Sequence, residues 1–395
     1  MPHVTSSSWE ETMVLRSRLA EQTSIASCEL ENSGWHLQGG VLRHINAEFF
    51  QIVGFADDVG NEQLLIRQRE TAIVGLLVHG RPGDRSFLLN ARCEPGLHGL
   101  CQFSTTIQST PSNYERRHGG DPTPFIEWFT GQVPGAQILH DSLEYDWGKY
   151  YDAKRKRFAI IEVPERLPAE SPQVWVDEPV LLRMIEHSFL VTGDLRATVA
   201  LILAHDRGVE PCLPAGHNDE AAAPPSLREV PLEAMTNWKI VPEGIVEVSG
   251  TEGIGVEYVT TTSGSREVTR WSQPLVRVQH PDIVTLWVRG VAPDREFAVE
   301  RRTQTGLNGA SLYFPAALEK TPTALLRRVT SSGEGGRFLR HEVVLQIADA
   351  ARLVVTPSSN IMWLNVDALS ALLLIPQATS LELRIVATLV LGDRS

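Results

Sequence analysis

The chain has 395 residues, 42% of them hydrophobic and 21% charged, and a formal net charge of −12 at pH 7. That length suits two or three cores, the composition excludes the disordered and fibrous classes, and the negative balance sets nucleic acid aside as a partner. No run nears the roughly 18 uninterrupted apolar residues of a membrane helix.

The N-terminal Ser6, Ser7, Ser8, Glu10 and Glu11 lack the basic-then-apolar order of a secretory leader. The four scattered cysteines, Cys28, Cys93, Cys101 and Cys212, fit reduced thiols better than disulfides. A cytoplasmic protein is expected, with no membrane partner.

In chain order, His44 comes first, beside Phe49 and Phe50; it reads as a satisfied buried histidine or as a catalyst. Residues 72–78 and 85–93 are strand-like, the second alternating Phe87, Leu89 and Ala91 against Ser86, Asn90 and Arg92, and Glu94-Pro95-Gly96 supplies a turn. The segment Leu100 to Gln108 reads as one strand that puts Gln102, Ser104, Thr106 and Gln108 on one face. The loop Ser109 to Gly120 follows, with Asn113, Tyr114, Arg116, Arg117 and His118. Lys154-Arg155-Lys156-Arg157 reads as a solvated turn or as a phosphate contact. Pro179 to Phe189 and Val366 to Leu374 carry apolar residues at helical spacing, each ahead of a closing strand. The Pro- and Ala-rich stretch 206–231 reads as a linker between domains 1–205 and 232–395.

Those two domains repeat one another. Asp84, Arg85, Phe87, Arg92, Gly96, Leu97 and Gly99 recur 210 positions later as Asp294, Arg295, Phe297, Arg302, Gly306, Leu307 and Gly309. Trp175, Leu195 and Arg196 recur 188 positions later as Trp363, Leu383 and Arg384. The change of offset removes 22 residues from the second copy, between the pairs Thr110/Lys320 and Gly148/Gly336, and with them the Asn-Tyr-Arg-Arg-His loop. Each copy is expected to be an α+β unit with a mixed sheet and flanking helices.

The second copy has Leu312, Phe314, Ala316 and Leu318 where the first has Gln102, Ser104, Thr106 and Gln108. The difference implies a polar pocket floor in the first copy and a filled pocket in the second, or a face that is solvated in one and packed in the other. The loop's histidine, phenol and guanidinium groups suit general acid–base work and diphosphate recognition, or form a solvated surface loop. Cys93, His98 and Cys101 give only three local metal ligands, matched by Thr303, Asn308 and Ser311, so no metal is expected. Gly253-Ile254-Gly255 is too short for a dinucleotide fingerprint, and the chain has no phosphate loop or nucleophile elbow.

Several segments carry a resemblance to the NDP-hexose 2,3-dehydratases of deoxysugar and antibiotic biosynthesis. They are Arg92 to Gly96, Phe103 to Thr110, Ser112-Asn113-Tyr114, His118-Gly119-Gly120 and Pro124 to Phe129, with weaker similarity at Gln68, Glu70, Trp271 to Leu275, Glu334 to Phe338 and Trp363. The resemblance implies two tandem Nudix-like domains, a homodimer and a nucleoside-diphosphate 4-keto-6-deoxyhexose substrate. The Glu-rich Nudix metal box is absent, which argues against metal-dependent hydrolysis.

The implied chemistry needs no cofactor. The C4 ketone acidifies the C3 hydrogen, a base removes it, an acid protonates the departing C2 hydroxyl, and the enol becomes a 3,4-diketone. Positioning can supply about 7–11 kcal/mol of the barrier, and donors at the enolate oxygen about 3–4 more. By chemical suitability Tyr114, His118 and Glu94 are the acid–base candidates, Gln102, Gln108 and Asn113 the sugar or enolate contacts, and Arg116 and Arg117 the diphosphate contacts. Gln63-Leu64 replaces the Gln-Pro of relatives, and the second copy lacks the Asn-Tyr loop. These departures leave two alternatives: another tailoring reaction, such as a cyclisation or elimination on a non-sugar substrate, or a non-catalytic binding partner.

Overall fold

The computed structural model describes residues 5–46, 49–117, 120–215, 226–250, 253–318, 322, 324–351, 353 and 360–392. The first half contains α1 (Trp9–Glu21), β1 (Thr23–Ser27), β2 (Trp35–Gln38), β3 (Val41–His44), β4 (Gln51–Asp57), β5 (Glu62–Arg67), β6 (Ala72–His79), β7 (Ser86–Cys93), β8 (Cys101–Ser104) and β9 (Ile107–Ser109). It continues with α2 (Pro111–Tyr114), α3 (Ile126–Phe129), β10 (Gln137–Tyr145), β11 (Arg155–Glu162), β12 (Gln173–Asp177), α4 (Glu178–Ile185) and α5 (Gly193–His205). The second half contains β13 (Leu227–Val230), β14 (Trp238–Val241), β15 (Gly244–Glu247), β16 (Ile254–Ser263), β17 (Arg270–Val278), β18 (Asp282–Arg289), β19 (Glu296–Thr303) and β20 (Ser311–Pro315). It ends with β21 (Leu325–Ser332), β22 (Phe338–Leu339), β23 (Glu342–Asp349), β24 (Ile361–Asn365), α6 (Val366–Leu373) and α7 (Leu381–Leu391). The fold is α+β, with few helices and mixed sheets in which the parallel pairs are β6 with β11, β18 with β23 and β17 with β22.

Strand register shows the duplication pair by pair. Val78 faces Phe87 across β6 and β7, as Val288 faces Phe297 across β18 and β19. Ala72 lies opposite Lys156, and Asp282 opposite Val343, so Lys156 matches a residue 187 positions on. Gly306 N–H donates to the Gly148 carbonyl at 2.7 Å, and Gly96 N–H to the Gly335 carbonyl at 2.8 Å. Gly148 therefore matches Gly335 rather than Gly336, and the second copy is short by 23 residues at that point (210 less 187). One residue is regained before β24, where Trp175 and Trp363 sit opposite Leu88 and Ala298 at an offset of 188.

The halves exchange their first strands: β1 pairs with β16 of the other half, and β13 with β4. Alternation along β7 sends Phe87, Leu89 and Ala91 into a core that runs continuously from Leu19 to Leu389, and Leu88 to a smaller cluster on the opposite face. Helices α5 and α7 pack against each other within that shared core.

Three sequence expectations change. The closing strands are helices α5 and α7, capped by Thr192 Oγ1, which accepts from Leu195 N–H, and by Ser380 Oγ, which accepts from Leu383 N–H. Helix α5 is buried almost all round, which erased the amphipathic period that would have revealed it. The strand expected from Leu100 to Gln108 breaks in two, because β6 and β7 splay at one end and β8 and β9 fill the gap, β8 on β7 and β9 on β6. Thr106 Oγ1 sits between the splayed strands, donating to the Leu88 carbonyl at 2.5 Å and accepting from Leu77 N–H at 2.9 Å. Thr106 therefore leaves the polar face expected of it. Finally, the described ends of 206–231 are structured: Asp206 caps α5 and holds Arg85 at 2.8 Å, and Leu227–Val230 is a strand.

Candidate active site between the repeats

A cavity of about 710 Å³ opens between the two halves. The first half supplies the turn Arg67–Glu70 after β5, Arg92 and Glu94 at the end of β7, Gln108 of β9, and Asn113 of α2. Trp35, His44 and Phe50 add an aromatic wall. The second half supplies Arg266 and Glu267 between β16 and β17, Trp271 and Gln273 of β17, and the turn Glu334–Arg337. Trp35 Nε1 donates to the Ser272 carbonyl at 3.2 Å, so the wall itself joins the repeats.

Glu94 is buried between two guanidinium groups, with Oε1 2.7 Å from Arg92 and 3.3 Å from Arg266. Burial raises its pKa, and the two arginines more than reverse that, so it stands as a carboxylate below the ordinary range. Glu70 anchors the loop: Ser112 donates to it from N–H at 3.0 Å and from Oγ at 2.6 Å. Gln108 is fixed at both ends, Nε2 donating to Asp194 Oδ2 at 2.5 Å and Oε1 accepting from Ser104 Oγ at 3.4 Å.

Beneath Gln108 lies a buried ion cluster. Lys156 Nζ is 3.0 Å from Asp146, 3.0 Å from Asp194 and 3.1 Å from Glu334. Lys154 Nζ reaches Asp146 at 2.9 Å and Glu334 at 2.7 Å, and Tyr151 Oη donates to Glu334 at 2.7 Å. Burial works against each charge, yet the carboxylates hold Lys156 protonated well above its usual range, and the cations hold Glu334 ionised well below its own. Burial raises the Asp194 pKa despite Lys156, with the Glu334 and Asp146 charges adding to the rise.

A family model described as NDP-hexose 2,3-dehydratase matches residues 11–202 and 217–312. The chain belongs to this family of sugar-nucleotide 2,3-dehydratases. Three relatives are named dTDP-4-dehydro-6-deoxy-alpha-D-glucopyranose 2,3-dehydratase. One from Streptomyces violaceoruber is 28% identical, covering 85% of this chain and 86% of its own. One from Saccharopolyspora spinosa is 25% identical, covering 84% and 80%, and one from Amycolatopsis orientalis 26%, covering 86% and 80%. A Nudix hydrolase from M. smegmatis covers 32% of this chain and 82% of its own at 16% identity and a TM-score of 0.19, too slight a likeness to bear on the fold.

Of the residues singled out from the sequence, the cavity gathers Glu94, Gln108, Asn113, Arg116 and Arg117. His118 lies outside the described residues. Tyr114 is off the wall, packed against the cluster of Ile73, Leu88, Phe129 and Trp175, where burial raises its pKa. Gln102 is fully buried on β8 and donates to Ser332 Oγ at 2.7 Å, a contact across the repeats. The break between β8 and β9 separates it from Gln108. His44 lines the cavity edge-on to Trp35, its Nδ1 accepting from Asn46 N–H. His98 Nε2 meets the Arg340 carbonyl at 3.0 Å, while Cys93 and Cys101 face each other across β7 and β8.

The sequence reading missed Lys154 and Lys156, both 2% exposed, by taking the basic run as a turn. The signal was alternation: in a strand, residues two apart share a face, and Arg155 and Arg157 point out while the lysines point in. Contributions from the second half, Arg266, Gln273, Glu334 and Arg337, were missed because the pocket was sought inside one copy. At the equivalent cluster in the second half, Val343 replaces Lys156, and Leu312 and Phe314 pack with Leu307 and Tyr145 in an apolar cluster.

Proposed function

We propose that the cavity between the repeats binds a nucleoside-diphosphate 4-keto-6-deoxyhexose and removes its C2 hydroxyl as water. The support is one cavity, in a member of this family, whose wall presents a carboxylate held ionised at Glu94 together with the carboxamides of Gln108 and Asn113. Glu94 takes the C3 proton, and the electron pair moves to the C4 oxygen as an enolate. Return of that pair expels the C2 hydroxyl, which leaves as water with a proton from His118. The resulting enol gains a proton at C2 and becomes the 3,4-diketone.

In this reading Gln108 and Asn113 donate to the enolate oxygen or the sugar hydroxyls, and Arg116 and Arg117 contact the diphosphate from the rim. Tyr114 and Gln102 have no direct contact with substrate. The protein works as a closed two-fold homodimer in the cytoplasm, the commonest arrangement for a soluble enzyme; no helix among the described residues is long and apolar enough to cross a membrane. Light scattering that gave a monomer at micromolar concentration would count against the dimer. The function is tested by incubating the protein with dTDP-4-keto-6-deoxyglucose and following mass. Loss of one water is expected, and unchanged substrate beside an active control enzyme would refute it.

A further inference from the structure

We infer that Arg337, supplied by the second repeat, is the principal cation that grips the diphosphate of the substrate. The inference rests on the cavity being a sugar-nucleotide site, and it assigns a binding role to the half of the chain that lacks the Asn-Tyr loop.

Most guanidinium groups on the cavity wall are already neutralised. Arg67 pairs with Asp152 at 2.6 Å and Glu229 at 2.8 Å, Arg92 with Glu94 at 2.7 Å, and Arg266 with Glu94 and Glu267, each at 3.3 Å. Arg117 pairs with Glu115 at 2.5 Å. A phosphate reaching any of these must compete with a carboxylate. Arg69 and Arg116 make no contact ion pair among the described residues, but both are exposed and water screens them.

Arg337 combines what the others lack. It is half-buried, and among the described residues its hydrogen-bond partners are neutral oxygens: Nε and Nη2 lie 3.2 and 3.1 Å from Gln68 Oε1, and Nη1 2.6 Å from the Gly336 carbonyl. The plane is further set by Phe50, whose ring centre is 4.1 Å from the guanidinium carbon. Three of its five N–H donors are thus occupied in fixing orientation, and two remain for phosphate oxygens. Its charge reaches the site, since it helps hold Glu334 ionised. The arrangement is built once: the positions matching Gln68 and Arg337 in the other half are Val278 and Tyr150.

Calorimetry with dTDP and with thymidine separates phosphate recognition from the rest. Arg337→Gln should weaken dTDP binding about 30-fold, the scale of a lost charge-assisted pair, while thymidine affinity stays within about twofold. Arg337→Lys, which keeps the charge and loses the fork, should weaken dTDP binding about fivefold. Arg277→Gln, on the far edge of β17, serves as the unaffected control. Unchanged dTDP affinity in both Arg337 variants overturns the inference, as does a loss shared equally by thymidine or one carried instead by Arg116→Gln/Arg117→Gln. If the unsubstituted protein fails to bind dTDP, the sugar-nucleotide reading itself falls.

Discussion

Lys156→Met removes the charge at the centre of the buried cluster while keeping most of the side chain's volume. Three carboxylates stand 3.0 to 3.1 Å from its Nζ. At an effective dielectric of about 20, each contact is worth about 5 kcal/mol of attraction, offset by the cost of burying the ammonium and by relaxation. The net loss should match that of other broken buried pairs, about 3–5 kcal/mol, because Lys154 then pairs with Asp146 and Glu334 while Asp194 keeps no cation. The sign of the pH dependence follows from Asp194, whose pKa burial already raises. Losing Lys156 raises it further, so the folded variant keeps a proton that the unfolded chain releases. Its stability is retained at pH below the unfolded value and lost as pH rises through the folded one, so the deficit should shrink between pH 8 and pH 5. Urea unfolding followed by circular dichroism at both pH values measures it, and adding Asp194→Asn should restore part of the loss. A loss under about 1 kcal/mol, or a deficit that grows as pH falls, would refute the electrostatic account.

Glu94→Gln should lower turnover about 100-fold or more if the carboxylate takes the C3 proton, read as initial rates of product formation. Tyr114→Phe should change turnover by no more than about threefold, since its ring packs off the cavity wall and a direct acid or base would cost about 100-fold; a loss on that scale would return Tyr114 to the chemistry. Gly96→Ala should destabilise the protein by about 3 kcal/mol or more in thermal unfolding, because the added Cβ would stand 1.6 Å from the Phe338 carbonyl oxygen across the repeats.

Much of the architecture was legible because duplication leaves fixed offsets. The pair Asp84/Asp294 and the pair Trp175/Trp363 bracket β7 to β11 and their counterparts β19 to β23, and alternation along β7 already separated core from wall. Helices α5 and α7 were not legible, since a helix buried all round has no polar face and its β-branched residues imitate a strand. The Leu100–Gln108 segment was misread for a different reason. Alternation assumes unbroken pairing, and no local residue announces that β6 and β7 splay apart there.

The lining of the candidate cavity was legible where it is local, at Glu94, Gln108, Asn113 and the arginines after Tyr114. It was illegible where it depends on contacts across the chain. Nothing near Glu334 or Arg337 says that their turn docks on Gly96, and nothing near Lys156 says which carboxylates await it. The Glu334 to Phe338 segment had been singled out by resemblance, without a role until docking gave it one.

The most direct test is isotopic. The unsubstituted protein and Glu94→Gln are each given the 4-keto-6-deoxyhexose nucleotide in deuterium oxide, and the hydrogens at C2 and C3 are followed by proton NMR. The expected product from the unsubstituted protein has lost its C3 hydrogen and gained deuterium at C2, while Glu94→Gln leaves the substrate protonated at C3 over the same interval. Product that retains the C3 hydrogen, or Glu94→Gln exchanging at the unsubstituted rate, would contradict an elimination carried out by this cavity.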